Sequence, residues 1–176
     1  MLTARRIIYS AIGLLLLAVN THAQVVQKYF GRTGRSHALQ KQAVLNNGNE
    51  VVVGHTWTGT AQNVSDAFIM CLDAADNVVW AKEIATPNND RFLSVTATSD
   101  GGCVAVGYAG QATGSIYNGN HAIIYKFDAA GNVLWNKILN NTSAGEVFTD
   151  VIEIPGSGHI VCTGFYDWGG TLVAGL

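Results

Sequence analysis

Residues 66–84 read DAFIMCLDAADNVVWAKEI, and residues 121–139 read HAIIYKFDAAGNVLWNKIL. Nine of these nineteen aligned positions are identical, among them Asp73 with Asp128 and Trp80 with Trp135, each pair 55 residues apart. A second element recurs beside the first. FLSVTATSDGGCVAVG, residues 92–107, matches FTDVIEIPGSGHIVCTG at 148–164 and the earlier LQKQAVLNNGNEVVVG at 39–54. The copies close on Gly54, Gly107 and Gly164. A fixed period of this length, with two elements in constant order, is the signature of a repeat architecture.

Each element reads as a β-hairpin. Val51–Val53, Val104–Val106 and Ile160–Cys162 are short β-prone runs bounded by turn residues. Asn46-Asn47-Gly48-Asn49, Ser99-Asp100-Gly101-Gly102 and Pro155-Gly156-Ser157-Gly158 offer the residues that tight turns favour. Asp-Ala-Ala-Asp-Asn at 73–77 and Asp-Ala-Ala-Gly-Asn at 128–132 read as five-residue hairpin loops. Four strands in about 55 residues are the size and content of one β-propeller blade. The expected fold is therefore all-β: a partial β-propeller of four-stranded antiparallel blades, preceded by a signal peptide helix. Repeat 1 spans 38–84, repeat 2 spans 92–139, and an incomplete repeat 3 spans 147–176. Residues 24–31 form a closing strand, because Lys28 stands where Lys82 and Lys137 stand and precedes its closing glycine by a similar distance. Residues 24–176 thus hold about 2.8 blades, where closed propellers use about 4–8. The expectation is a piece of a longer protein, or a unit completed by self-association or further repeats.

The N-terminus reads as an address. Arg5 and Arg6 precede an apolar run from Ile7 to Val19, too short to span a bilayer, which takes about 20 residues. Thr21-His22-Ala23 supplies small residues where a signal peptidase cuts, so residues 1–23 read as a secretory signal cleaved after Ala23. The mature chain is then secreted or placed on the cell surface, with no membrane span after signal removal. Lys plus Arg number 10 and Asp plus Glu 12 across 176 residues. That stock of cations argues against nucleic-acid binding.

The motifs Ser-Asp-Gly-Gly-x-Val-x-Val-Gly at 99–107 and Ile-Tyr-Lys-Phe-Asp-x-x-Gly-Asn-Val-Leu-Trp-x-Lys at 124–137 resemble the repeats of large secreted bacterial β-propeller proteins, many exported by the type IX route. The resemblance covers almost all of residues 24–176, except that no C-terminal sorting domain is present and the third repeat stops early. It implies a surface or extracellular module with a binding or adhesion role, and no particular activity.

Candidate chemistry is sparse. Trp80 and Trp135, at one strand position, suit blade-to-blade packing in largely buried sites. Asp73 with Asp76, and Asp128 with Asn132, lack the further oxygen ligands of a calcium loop, so turn capping is the better reading. His37, His55, His121 and His159 show no metal-binding spacing. Cys71, Cys103 and Cys162 are an odd number inside apolar runs and read as buried small hydrophobes, with at most one disulfide among them. Asp90 and Asp150 could form a carboxylate pair, but any acidic surface offers such pairs, and both read as ordinary loop and strand charges. No nucleotide, phosphate or nucleophile motif appears, so no cofactor, metal or catalytic residue is expected. The loops after the closing glycines, 56–65, 109–120 and 166–170, carry Trp57, Tyr117, Tyr166 and Trp168 among amides and hydroxyls. Such rings suit carbohydrate stacking or protein contact. The alternatives to a binding module are part of a propeller enzyme acting on glycans and a purely structural spacer.

Overall fold

A computed structural model describes residues 33–58, 65–86, 89–110, 120–139, 145–166 and 170–175, with side chains as far as Phe165. The signal segment 1–23, the closing strand 24–31 and the bearers Tyr117 and Trp168 lie outside the described residues. Everything described is strand, turn or short connection, without a helix. Among the described residues no helix is long and apolar enough to cross a membrane.

Eleven strands form three antiparallel sheets in which sequence neighbours are spatial neighbours. The first holds β1 (Arg35–Val44), β2 (Glu50–Thr58), β3 (Ser65–Leu72) and β4 (Val78–Ile84). The second holds β5 (Asn89–Ala97), β6 (Cys103–Gly110), β7 (His121–Phe127) and β8 (Val133–Leu139). The third holds β9 (Glu146–Glu153), β10 (Ile160–Tyr166) and β11 (Gly170–Gly175).

Local chemistry accounts for the hairpins. In the four five-residue turns the amide four residues before the last closes on that residue's carbonyl, as with Asp73 N to Asn77 O and Asp128 N to Asn132 O, both 2.9 Å. The fourth turn residue takes the left-handed conformation: Gly48, Asp76, Gly101 and Gly131 have φ of 84°, 59°, 87° and 81°. This is a type I turn followed by a left-handed residue, one of the favoured longer hairpin loops. The Asp73 carboxylate accepts from Ala75 N and Asn77 N at 2.9 and 2.8 Å, and the Asp128 carboxylate accepts from Asn132 N at 2.7 Å. These aspartates cap turns. The left-handed position falls to Asp76 and Gly131 rather than to the Asn that follows each.

The closing glycines have a sharper reason. Gly54 pairs with Leu39, Gly107 with Phe92 and Gly164 with Phe148, each beside a β-bulge. A Cβ built on Gly54, Gly107 or Gly164 would stand 1.9 Å from the carbonyl oxygen of Ala38, Arg91 or Val147 respectively. The bulged partner strand folds its backbone onto the glycine, and no side chain fits.

The second sheet is covered on both faces by the other two, which explains the near-continuous apolar run of β6. Val51, Val53, Ala67, Ile69 and Cys71 of the first sheet pack on Phe92, Val95, Cys103, Ala105, Ile123 and Phe127 of the second. Val104, Val106, Ala122 and Ile124, on the second sheet's other face, pack on Phe148, Val151, Ile160 and Cys162. The three cysteines are free and buried within these layers. Burial drives the Cys103 thiol up to about 12 and the Cys162 thiol up to about 11, so neither is a ready nucleophile.

Polar contacts join the sheets at two levels. Just past the bulges, Asp150 Oδ1 on β9 accepts from Ser94 Oγ on β5 at 2.7 Å and lies 3.9 Å from Lys41 Nζ on β1. At the turn tips, Asn46 Nδ2 donates to the carbonyls of Thr98 and Ser99 at 3.3 Å, and Ser99 N donates to Glu153 at 2.6 Å. Within the second sheet, the buried Lys126 ammonium donates to Thr98 Oγ1 and Asp100 Oδ1, both at 2.8 Å, and to Phe127 O at 3.2 Å. Desolvation opposes the Asp100 charge, yet Lys126 and Thr98 hold its carboxyl down at about 2.

Trp80 and Trp135 share a register position: Trp80 pairs with Cys71 and Trp135 with Lys126, each next to a bulge. Both are half-buried rather than largely buried, because they sit on the outermost four-stranded positions where the sheet interface meets solvent. Trp80 reaches across to the next sheet. Its Nε1 donates to Ala129 O at 3.0 Å, and its ring lies so close over Gly131 that a Cβ there would stand 2.5 Å from Cδ2.

Two outcomes follow from these contacts. Gly107→Ala should lower unfolding free energy in urea by about 3 kcal/mol or more, since backbone must move. Gly156→Ala, with open space at φ 78°, should cost only about 1–2 kcal/mol. Trp80→Ala should cost about 3 kcal/mol, and Trp80→Phe, which keeps apolar cover but loses the bond to Ala129, about 1 kcal/mol. Equal stability of Trp80→Phe and Trp80→Ala would show that the ring contributes nothing.

Candidate functional site

Antiparallel order brings the last residues of β2, β4, β6, β8 and β10 and the first residues of β3, β5, β7, β9 and β11 to one end of the sheets. Polar residues buried at strand ends concentrate there: His55, Thr56, Ser65, Asn89, Asp90, Asn120 and Glu146. The turn end has mainly Thr98 and Lys126.

Around the junction of the first two sheets these groups form a connected set. Asn89 Oδ1 accepts from Ser65 N at 2.9 Å and from Ser65 Oγ at 3.2 Å. Arg91 Nε donates to the same Ser65 hydroxyl at 3.3 Å. Ser65 is the strand partner of Trp57, which stacks on His55 with ring centroids 5.3 Å apart. Trp57 and Arg91 are both half-buried. His55 is 4% exposed, and its Nδ1 has no hydrogen-bond partner among the described residues. Burial, reinforced by the Arg91 charge, lowers its pKa to about 4, so it is neutral at physiological pH.

Asp90 is fully buried beside this set. Its Oδ2 accepts from Thr86 N at 2.5 Å and its Oδ1 from Thr86 Oγ1 at 2.9 Å, closing the connection between β4 and β5. Burial raises its pKa to about 6 against the pull of these two bonds, and the Asp66 charge adds to the rise. Asp66 and Glu83 are themselves held by Arg35 Nη1 at 2.9 and 3.1 Å.

Of the four aromatic residues expected at a binding face, Trp57 is described and stands in the set. Tyr166 lies on β10, paired with Glu146 and Gly170, and its side chain falls outside the described residues. Tyr117 and Trp168 fall outside them as well. The histidines do not gather: His37 lies edge-on to Phe68 at 5.0 Å, His55 stacks on Trp57, His121 is half-buried and His159 is exposed. Among the described residues no group of His, Cys, Asp and Glu is placed to hold a metal ion. Asp90 and Asp150 have separate partners. Asp150 bonds Ser94, four positions along β5 from Asp90, which at ~3.3 Å per residue separates them by on the order of 10 Å.

Sequence reasoning missed Ser65, Asn89, Arg91 and the role of Asp90. A signal was available for Asp90: Thr33-x-x-x-His37-x-Leu39, Thr86-x-x-x-Asp90-x-Phe92 and Thr142-x-x-x-Glu146-x-Phe148 occupy corresponding places in the three copies. Glu146 is likewise buried, 5% exposed, and its backbone N donates to Asn120 O at 2.8 Å. Its Oε2 has no partner among the described residues.

Comparison of the chain with protein-family models and with curated proteins gave no match.

The two shifted groups act on stability in opposite senses. Asp90 titrates at about 6 in the fold against 3.8 ordinarily, so its contribution is fully present below about pH 4 and is lost as pH rises through 6. His55 titrates at about 4 against 6.5, so its contribution is present above pH 6.5 and is lost as pH falls through 4. Asp90→Asn should therefore match the wild type near pH 4 and exceed it by about 2 kcal/mol above pH 6.5. Denaturant titrations across that window measure the difference; a difference constant with pH would show that Asp90 is not desolvated.

Proposed function

We propose that this chain is a β-propeller-type repeat module of a secreted or cell-surface protein, binding carbohydrate or protein at the end where its sheet connections gather, without catalysis. Support for the propeller reading comes from successive four-stranded antiparallel sheets stacked face to face in the same way. It comes also from Asp150, which draws the first strands of all three sheets together through Ser94 and Lys41. The basic and apolar leader at 5–19 and the resemblance to exported propeller repeats support the location.

The observation that carries the binding role is the half-buried Trp57 stacked on His55 at that end. A rigid ring held by a second ring offers contact area at low cost in conformational freedom. Asp90 is the one group that favours a glycan-cleaving enzyme, since a carboxyl titrating near 6 suits a general acid. Both its oxygens are occupied by Thr86, and Asp150 lies elsewhere, so the pair that glycoside hydrolysis uses is not assembled from these two.

Binding of the full chain to an array of glycans and extracellular proteins tests the reading. Retention of a defined class of ligand is expected, with Trp57→Ala weakening it about 10-fold. No retention on any surface would overturn it. Release of reducing sugar ends that disappears in Asp90→Asn would replace it with the enzyme reading.

A further inference from the structure

We propose that Arg91 and Trp57 together form a subsite for a carboxylated sugar. This deepens the binding reading above and rests on it.

The argument begins with charge pairing. The neighbouring acids are each engaged elsewhere: Asp66 and Glu83 with Arg35, and Asp90 with Thr86 through both oxygens. Arg91 therefore has no carboxylate partner among the described residues. One edge of its guanidinium is nevertheless fixed, because Nε donates to Ser65 Oγ at 3.3 Å and Ser65 is itself held by Asn89 at 2.9 and 3.2 Å. A guanidinium oriented through Nε keeps its terminal N–H groups for an incoming anion, and its planar fork matches a carboxylate.

The second element is the aromatic stack. Trp57 is the strand partner of Ser65, which Arg91 bonds, and it stacks on His55, which feels the Arg91 charge, so the indole and the guanidinium belong to one corner of the sheet junction. His55, behind the indole, is buried and neutral, and therefore does not compete with Arg91 for an anion. Its Nδ1, without a partner among the described residues, is a polar atom sealed behind the ring. A flat indole beside a cation suits a ligand with an apolar ring face and a carboxylate at its rim. Uronic and sialic acids have that form, whereas neutral sugars lack the anion and acidic peptides lack the flat ring face.

Calorimetric titration of the full chain with tri-galacturonic acid and its methyl ester, and with 3′-sialyllactose and lactose, tests the subsite. At least one acid should bind about 10- to 100-fold more tightly than its uncharged counterpart. Arg91→Ala should abolish that preference, so that the acid binds no more tightly than its uncharged counterpart. Trp57→Ala should weaken acid and uncharged forms alike. If Arg91→Ala does not fold, Arg91→Lys decides, since it keeps the charge but loses the planar fork and should lose most of the preference. Equal binding of acid and uncharged partner, or a preference that survives at Arg91→Lys and Arg91→Ala, overturns the subsite. Tight binding of an acidic peptide or of neutral glycans with no response to the sugar acids also overturns it, while leaving the broader binding role standing. Failure of every ligand removes both.

Discussion

The contact on which the architecture depends is between backbones. At Gly54, Gly107 and Gly164 a carbonyl of the partner strand lies where a side chain would begin. The β-bulge beside each glycine makes this approach, and it bends the first strand of each sheet at a constant place. Two consequences follow at once. Phe92 and Phe148, opposite the glycines, enter the layers between sheets, and Lys41, Ser94 and Asp150, just beyond the bulges, arrive within reach of one another. The ion pair is largely exposed and contributes little by itself. Position, more than energy, is what the bulge supplies.

The stacked sheets impose a second constraint, that strands of the middle sheet, covered on both faces, be largely apolar. β6 satisfies it with Val, Ala and Cys, small and β-branched side chains that let two sheets approach. The perimeter need not satisfy it. β4 and β8 leave Val78, Val79, Val133 and Leu134 about half exposed and send Trp80 with Ile84, and Trp135 with Leu139, inward. Trp80 then binds the turn of the following sheet, so the loop that Asp128 caps is also the seat of its neighbour's ring. Turn chemistry and sheet packing are thereby one problem, solved by Gly131 with its left-handed backbone and missing side chain.

At the opposite end the same stacking buries polar groups that the apolar layers cannot accommodate. Several are paired in short chains, Thr86 with Asp90, Asn89 with Ser65 and Arg35 with two carboxylates, whereas His55 Nδ1 and Glu146 Oε2 have no partner among the described residues. Burial lowers His55 to about 4, so the ring at the junction is neutral at physiological pH. Arg91 is half-buried there and bonds Ser65 through Nε.

Much of the fold was legible in the chain because hairpins are local. Asp73 and Asp128 cap turns through amides two to four residues away, and the recurrence of Gly54, Gly107 and Gly164 marks a backbone approach within one hairpin. The site was legible only in part. Trp57 could be read as a loop-end aromatic, but Ser65 lies on β3 and Asn89 and Arg91 on β5, and only the stacking of the first sheet on the second joins them. Trp80 was recognisable as a packing residue, whereas its half-burial depended on how far the next sheet's turn covers it. The sequence by itself determined strands, turns and the glycines where backbones meet, since those rest on contacts between near neighbours. The tertiary structure alone decided that Ser65 meets Asn89 and Arg91, because those residues are brought together from separate sheets.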